Sequence, residues 1–225
     1  RFRNDLVSTA DGIKYILSEK EEKVLNIKSR PLGLANSLHD ELTGSYEFMM
    51  NIRGEEKKMT EEEVRSYRQH TDRSIRREAY TSLRRVYNTK QNQIALGNIY
   101  TCIVKDWTSE IKMRGYGENV MAQRNLSEEM DDEVVDMLLS EVEKAYPIYA
   151  RYLKAKGKML GLEVDFSVWD TGAPIGKSDK DFTFDEAYDL HLSVMKDFDS
   201  DFYEYSKQMI EEGRIDVFPK AGKRG

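Results

Sequence analysis

Three histidines are the only imidazoles available for catalysis or metal binding, and their spacing can be tested one by one. In H-E-x-x-H, two imidazoles lie one helical turn apart and share a zinc ion whose water the glutamate activates. His39 is followed four residues on by Thr43, His70 by Ser74 and His191 by Met195. Ala35, Ser66 and Ala187 exclude the reverse spacing. Asp197, Asp199 and Asp201 open like an EF-hand loop, but Phe202 stands where that loop needs Gly, and Gln208 where it needs Glu. Gly115-Tyr116-Gly117 begins like a nucleotide loop, yet Val120 replaces the third Gly, so a helix C-terminal turn is expected. Cys102 is the lone cysteine; a disulfide within the chain is excluded, and its helical surroundings predict a small buried side chain. Among forty-one acidic residues no pair is singled out for metal-free acid–base catalysis. These residues assign no catalytic group and no metal ligand.

The elements that would position any chemistry are mostly helical. Four Pro and fourteen Gly in 225 residues favour long uninterrupted elements. The net charge of −6 gives no overall attraction to nucleic acid. Arg73, Arg76, Arg77, Arg84 and Arg85 fall at helical spacing among acidic and apolar residues, the pattern of a solvated face. No apolar run reaches the length of a membrane span and no signal peptide is visible, so no membrane partner and a cytoplasmic setting are expected.

Along the chain, Asp11–Leu17 reads as a short helix or turn. Ser18 with Glu21 forms a capping box for a helix that should end before Pro31. A second helix should start at Pro31, with Leu34, Leu38 and Leu42 as its apolar stripe and Gly44 as its stop. Residues 46–52, Arg53-Gly54-Glu55-Glu56 and 57–59 predict a β-hairpin, and Thr60 caps the next helix. Thr71-Asp72 should open a helix of roughly forty residues to Gly115, with room for a kink between Asn88 and Gln93. Ser127–Tyr146 and a segment from Pro147 to about Leu160 predict a helical hairpin. Residues 161–180 read as irregular. Thr183 with Glu186 caps a last helix to Gly213, followed by a strand at Ile215–Phe218. The fold class is therefore mainly α: a multi-helix assembly with a small β-hairpin. Residues 1–65 are expected to form a small N-terminal lobe and residues 66–225 a helical body.

Several segments, taken in order, resemble the oligoendopeptidase F branch of the M3 (thimet-type) zinc metallopeptidases. Ser18-Glu19-Lys20-Glu21-Glu22 is similar to that family's LSE-x-EE segment, and Asp72–Tyr80 to its DR-x-VR-x-x-A helix start. Leu160-Gly161-Leu162, then Phe166, Trp169-Asp170 and Ala173-Pro174, resembles the linker toward the catalytic half. Glu212–Pro219 and Lys220–Gly225 resemble the G-W-I-D-V-x-P … G-K-R-S-G-A stretch, with Arg214 where an aromatic is common. The resemblance covers about Leu17 to Gly225. It implies the N-terminal helical part of such a peptidase, cut from a longer protein.

In the family, H-E-x-x-H and a later glutamate bind zinc; no residue here matches those positions. The resemblance therefore implies no catalytic residue, metal ligand or cofactor in this chain, which by itself is expected to be inactive. Zinc, short peptide substrates and a missing C-terminal catalytic region are expected of the full-length parent. The resemblance implies that Gly222, Lys223, Arg224 and Gly225 lie at the margin of the substrate cleft, although the favoured plain reading is that Lys223 and Arg224 simply keep a surface turn soluble. The alternative is a stand-alone acidic helical module that binds a partner helix.

Overall fold

The computed structural model describes residues 3–162, 164–176, 182–218 and 220. The described chain is mainly helical, with one two-stranded sheet. In order it runs α1 (Arg3–Ile13), α2 (Glu19–Gly44), β1 (Phe48–Ile52), β2 (Glu55–Met59), α3 (Glu61–Ser66), α4 (Arg73–Tyr87) and α5 (Lys90–Arg114). Then follow α6 (Ala122–Ser127), α7 (Asp132–Met159), a 3₁₀ turn at Val168–Asp170, α8 (Phe184–Phe198) and α9 (Ser200–Glu211). The chain forms two compact units, the first ending at Ala173 and the second running from Pro174 to Lys220.

The core of the first unit sits where α4 crosses the hairpin. β1 and β2 pair antiparallel, Phe48 opposite Met59 and Ile52 opposite Glu55. The connection is a two-residue turn in which Arg53 (φ 54°) and Gly54 (φ 95°) both take left-handed backbone, the geometry that matches strand twist. Asn51 Oδ1 accepts the Gly54 amide at 2.8 Å and fixes that turn. Side chains alternate along β1, so Phe48 and Met50 point inward and are fully buried while Met49 faces out. They meet Val64 of α3 and Ile75, Ala79 and Leu83 of α4. Ser82 of α4 donates to the Met49 carbonyl at 2.8 Å, and the Asn51 amide reaches Glu78 Oε1. In this way α4 satisfies backbone groups that an open strand edge would expose.

α2 and α5 lie antiparallel. Glu22, at the start of α2, binds Arg114 at the end of α5 (2.7 and 3.0 Å), and Lys28 pairs with Asp106 at 2.9 Å. Arg114 also donates to the Tyr15 carbonyl, tying the α1–α2 connection to the same corner. Tyr15 stacks there on Tyr116, centroids 3.8 Å apart. Gly115 (φ 76°) ends α5, and the Tyr116 amide returns to the Ile111 carbonyl, so this Gly-rich turn is a helix stop.

The structure departs from the sequence expectations at several elements. Pro31 and Pro147 do not divide helices; both lie inside continuous ones, α2 and α7. Both prolines are solvent-exposed, so water can take the carbonyl that each leaves unpaired. The expected apolar stripe of α2 also turns outward: Leu34 and Leu38 are exposed, and Leu25 is the residue it buries. Conversely, the helix expected over 72–115 is two. Asn88 closes α4, and the Thr89 hydroxyl accepts from the Asn92 amide to start α5. The helix expected over 183–213 divides at Asp199, whose extended backbone ends α8 and whose carboxylate caps the Asp201 and Phe202 amides of α9. Residues 215–218 form no strand, because among the described residues β1 and β2 pair only with each other. Cys102 is exposed, not buried.

Truncating Phe48 to Ala removes the largest fully buried side chain. It should lower unfolding free energy by about 3–5 kcal/mol in urea titration, the range for emptying an aromatic site.

Candidate functional site

The most completely buried polar group in the first unit is the carboxylate of Asp170, which has no solvent exposure. It closes the 3₁₀ turn, where Oδ2 accepts the Ser167 amide at 3.0 Å. Two arginines of α4 supply its countercharge. Arg73 donates from Nε to Oδ1 at 3.1 Å and from Nη2 to Oδ2 at 3.0 Å, a forked contact. Arg76 donates from Nη2 to Oδ1 at 2.9 Å. Arg76 is itself only 3% exposed, and its remaining donors reach the carbonyls of His70 (2.8 Å), Thr71 (2.9 Å) and Trp169 (3.2 Å). Burial pushes the Asp170 carboxyl up, but the Arg73 and Arg76 hydrogen bonds and the Ser167 amide outweigh it and hold the group below its ordinary value.

Residues 165–173 thus form a strap across α4. Positions 73, 76, 77 and 80 share one side of the helix and 75, 79 and 83 the adjoining side, with Arg76 at the boundary between them. One side binds the strap and the other the hairpin core. Trp169 lies 5.8 Å from the Tyr80 ring, with the Arg77 guanidinium 5.4 Å from its own. Lys156 of α7 donates to the Thr171 carbonyl at 2.7 Å, and the Arg73 guanidinium also binds the Asp165 carbonyl. At Gly172 a Cβ would stand 2.7 Å from the Arg68 carbonyl oxygen, so no other residue fits without moving backbone. The solvated arginine face expected from charge patterning is therefore wrong for Arg73 and Arg76. Helical spacing cannot reveal a carboxylate that arrives 97 positions later. Both halves of the contact do fall in two of the family-like segments, Asp72–Tyr80 and Trp169-Asp170, and that pairing was the signal available.

Chemically the strap is a clamp. Every Asp170 oxygen is engaged and shielded from solvent, so it offers neither a general base nor a substrate contact. Zinc ligation fits no better. Asp72 donates its amide to His70 Nδ1, and His39 Nδ1 faces Asp40 at 3.1 Å. Among the described residues no group of three or more His, Cys, Asp or Glu side chains is placed to hold a metal ion. A groove of about 490 Å³ lies beside the hairpin, lined by Asp40, Tyr46, Lys58 and Glu63 among others. Its charges are largely committed: Lys58 pairs with Glu47, and Glu63 caps Thr60. Gly222, Lys223, Arg224 and Gly225, the residues expected at a cleft margin, lie outside the described residues. Among the described residues, no helix is long and apolar enough to cross a membrane.

With this geometry in place, comparison with known proteins identifies the class. Residues 66–225 match peptidase family M3, and the chain belongs to that family. Among curated relatives it is similar to Group B oligopeptidase PepB of Streptococcus agalactiae, 28% identical over 214 residues. It is also similar to oligopeptidase PepF of Bacillus subtilis, 24% identical over 214 residues. Each alignment takes in 93% of this chain but only 35% and 31% of the respective relative, so the chain spans about a third of their length. A solved structure assigned to oligoendopeptidase F from Bacillus anthracis superposes with a TM-score of 0.74 at 19% identity, covering 100% of this chain and 42% of that one. The fold is thus one found within oligoendopeptidase F-type proteins.

Replacing Asp170 with Asn keeps the shape and removes the charge, leaving Arg76 buried without its anion. Unfolding free energy at neutral pH should fall by about 3–5 kcal/mol in urea titration. The sign with pH follows from the lowered carboxyl. The Asp170 contribution is full above the unfolded carboxylate value of about 4 and is lost as pH falls through the lower folded value. The difference between wild type and Asp170→Asn should therefore shrink on acidification below about pH 4.

Proposed function

We propose that this chain is the non-catalytic helical portion of an oligoendopeptidase F-like zinc metalloendopeptidase that hydrolyses short peptides in the cytoplasm. The observation that carries this reading is the family match over residues 66–225 in a chain about a third the length of its oligopeptidase relatives, without H-E-x-x-H. The catalytic groups and the zinc ligands then belong to a further region of the same protein. Bound there, zinc would supply an activated water for peptide hydrolysis. This chain's contribution is scaffolding. The Asp170 clamp holds residues 165–173 on α4 and so fixes where the polypeptide leaves the first unit at Ala173. Gly222, Lys223, Arg224 and Gly225 are proposed to flank the peptide cleft, where backbone groups can pair with an extended substrate.

The test is expression of the whole reading frame beside the 225-residue chain, each assayed on a short fluorogenic peptide and on a folded protein. The longer product should cleave the short peptide, spare the folded protein and lose its activity to a chelator, while the 225-residue chain cleaves neither. Cleavage by the chain alone, or none by a longer product, would overturn the proposal.

A further inference from the structure

The two edges of the hairpin are treated differently. Across a two-residue turn the flanking residues, Ile52 and Glu55, exchange backbone hydrogen bonds, and inward- and outward-facing positions then alternate along both strands. Met49 and Asn51 therefore turn their backbone groups away from β2, and Ser82 and Glu78 of α4 meet them there. On β2 the residues opposite those two, Lys58 and Glu56, turn theirs away from β1. Among the described residues no backbone or side-chain group bonds to that side of Glu56 or Lys58, and Glu55 to Lys58 are all exposed. β2 also lacks a proline, and its register runs without a bulge. Of the usual devices that blunt a strand edge, only charge is present.

The order of those charges matters. Edge charges of one sign would repel a second copy in every register. Glu56 and Lys58 have opposite signs and, two residues apart, share the solvent face of the strand. Two copies of β2 about a twofold axis run antiparallel, and only residues whose backbone groups face the same way can stand opposite. With Lys57 on the axis, Glu56 of each copy stands opposite Lys58 of the other. Both pairs then exchange backbone hydrogen bonds, and every outward group of the two residues is used. With Glu56 on the axis instead, Glu56 would oppose itself and Lys58 would face Gly54 in the turn. Charge and hydrogen bonding thus select the same register. On the other face Lys57 meets Lys57 of the copy. Glu55, 3.8 Å from Lys57 within each chain, lies on the diagonal and offsets that repulsion. Lys58 also pairs with Glu47, an exposed contact that costs little to share. Other occupants fit less well. A strand edge takes an extended partner, and the regular elements of the second unit are the helices α8 and α9. An apolar strand would leave Glu56 and Lys58 without countercharges.

We propose that β2 is a self-recognition edge, where two copies of this chain join antiparallel about a twofold axis at Lys57. The hairpins then form one continuous sheet in the order β1-β2-β2-β1. The contact is short, so the dimer is weak and depends on concentration. It is independent of the proposed peptidase function.

The test is sedimentation of the 225-residue chain over about a hundred-fold range of concentration. Wild type, Glu56→Lys, Lys58→Glu and an equal mixture of the two variants are compared. Wild type should pass from monomer to dimer as concentration rises. Each variant alone should stay monomeric, because it meets its own copy with like charges. The mixture should dimerise, since one chain then presents two lysines and the other two glutamates at the paired positions. Recovery on mixing also shows that neither variant has lost its fold. In the dimer the Glu56 and Lys58 amides should exchange with solvent more slowly, which contact through side chains alone would not produce. A wild type that stays monomeric throughout would overturn the proposal. So would a dimer that both variants retain, or variants that do not associate when mixed. The whole reading-frame product is measured in the same way. If it never dimerises and protects those two amides at every concentration, the edge belongs to the region beyond this chain, and the proposal fails.

Discussion

A carboxylate with no contact to water must be given back, inside the protein, the stabilisation that hydration provided, and Asp170 sets that requirement for the first unit. One cation would leave oxygen lone pairs unsatisfied. Arg73 and Arg76 together with the Ser167 amide fill them, and this fixes the rotation of α4 about its axis. Ile75, Ala79 and Leu83, on the adjoining side of the helix, then meet Phe48 and Met50 of the hairpin. Arg76 adds a constraint of its own. Its other donors hold the carbonyls of His70 and Thr71, just before α4 begins. Polar clamp and apolar core therefore share one helix, and displacing either would twist the other.

The chain holds two kinds of order. The hairpin, α3 and α4 bury Phe48, Met50, Val64, Ile75, Ala79 and Leu83 among themselves. Elsewhere apolar faces stay open: Leu34 and Leu38 on α2, most of α7, and, within the second unit, Leu190 and Val194 on α8 and Phe202 and Tyr205 on α9. In that second unit α8 and α9 meet around the Asp199 break, and Phe198 packs edge-on to Phe202.

What could be read in the sequence was local. Ser18 with Glu21, Thr60 with Glu63 and Thr183 with Glu186 are capping boxes in the structure because both partners lie within one turn. The hairpin was legible for the same reason, Arg53-Gly54 fitting a two-residue turn. What required the tertiary structure stayed hidden. Whether a proline breaks a helix depends on whether water reaches the orphaned carbonyl, and nothing near Pro31 or Pro147 in sequence says so. Whether Asn88-Thr89 kinks or ends a helix depends on a hydroxyl-to-amide contact that competes with one more helical turn. Stripe reading failed on α2 because periodicity places Leu34 and Leu38 on one face but does not say whether anything packs there, and both are exposed. Of the candidate site, residues 222–225 rested wholly on family resemblance, and the Asp170 clamp joins segments too distant for any window to connect.

The central claim is that Arg76 and Asp170 act as one unit. A double-mutant cycle with Arg76→Met, Asp170→Leu and the pair, followed by urea unfolding, measures it directly. The account expects each single substitution to cost about 3–5 kcal/mol and the double less than either, so that the coupling exceeds about 3 kcal/mol, because each single strands a buried charge that the double removes. Additivity within about 0.5 kcal/mol would contradict it and show the two side chains to be neighbours without energetic dependence.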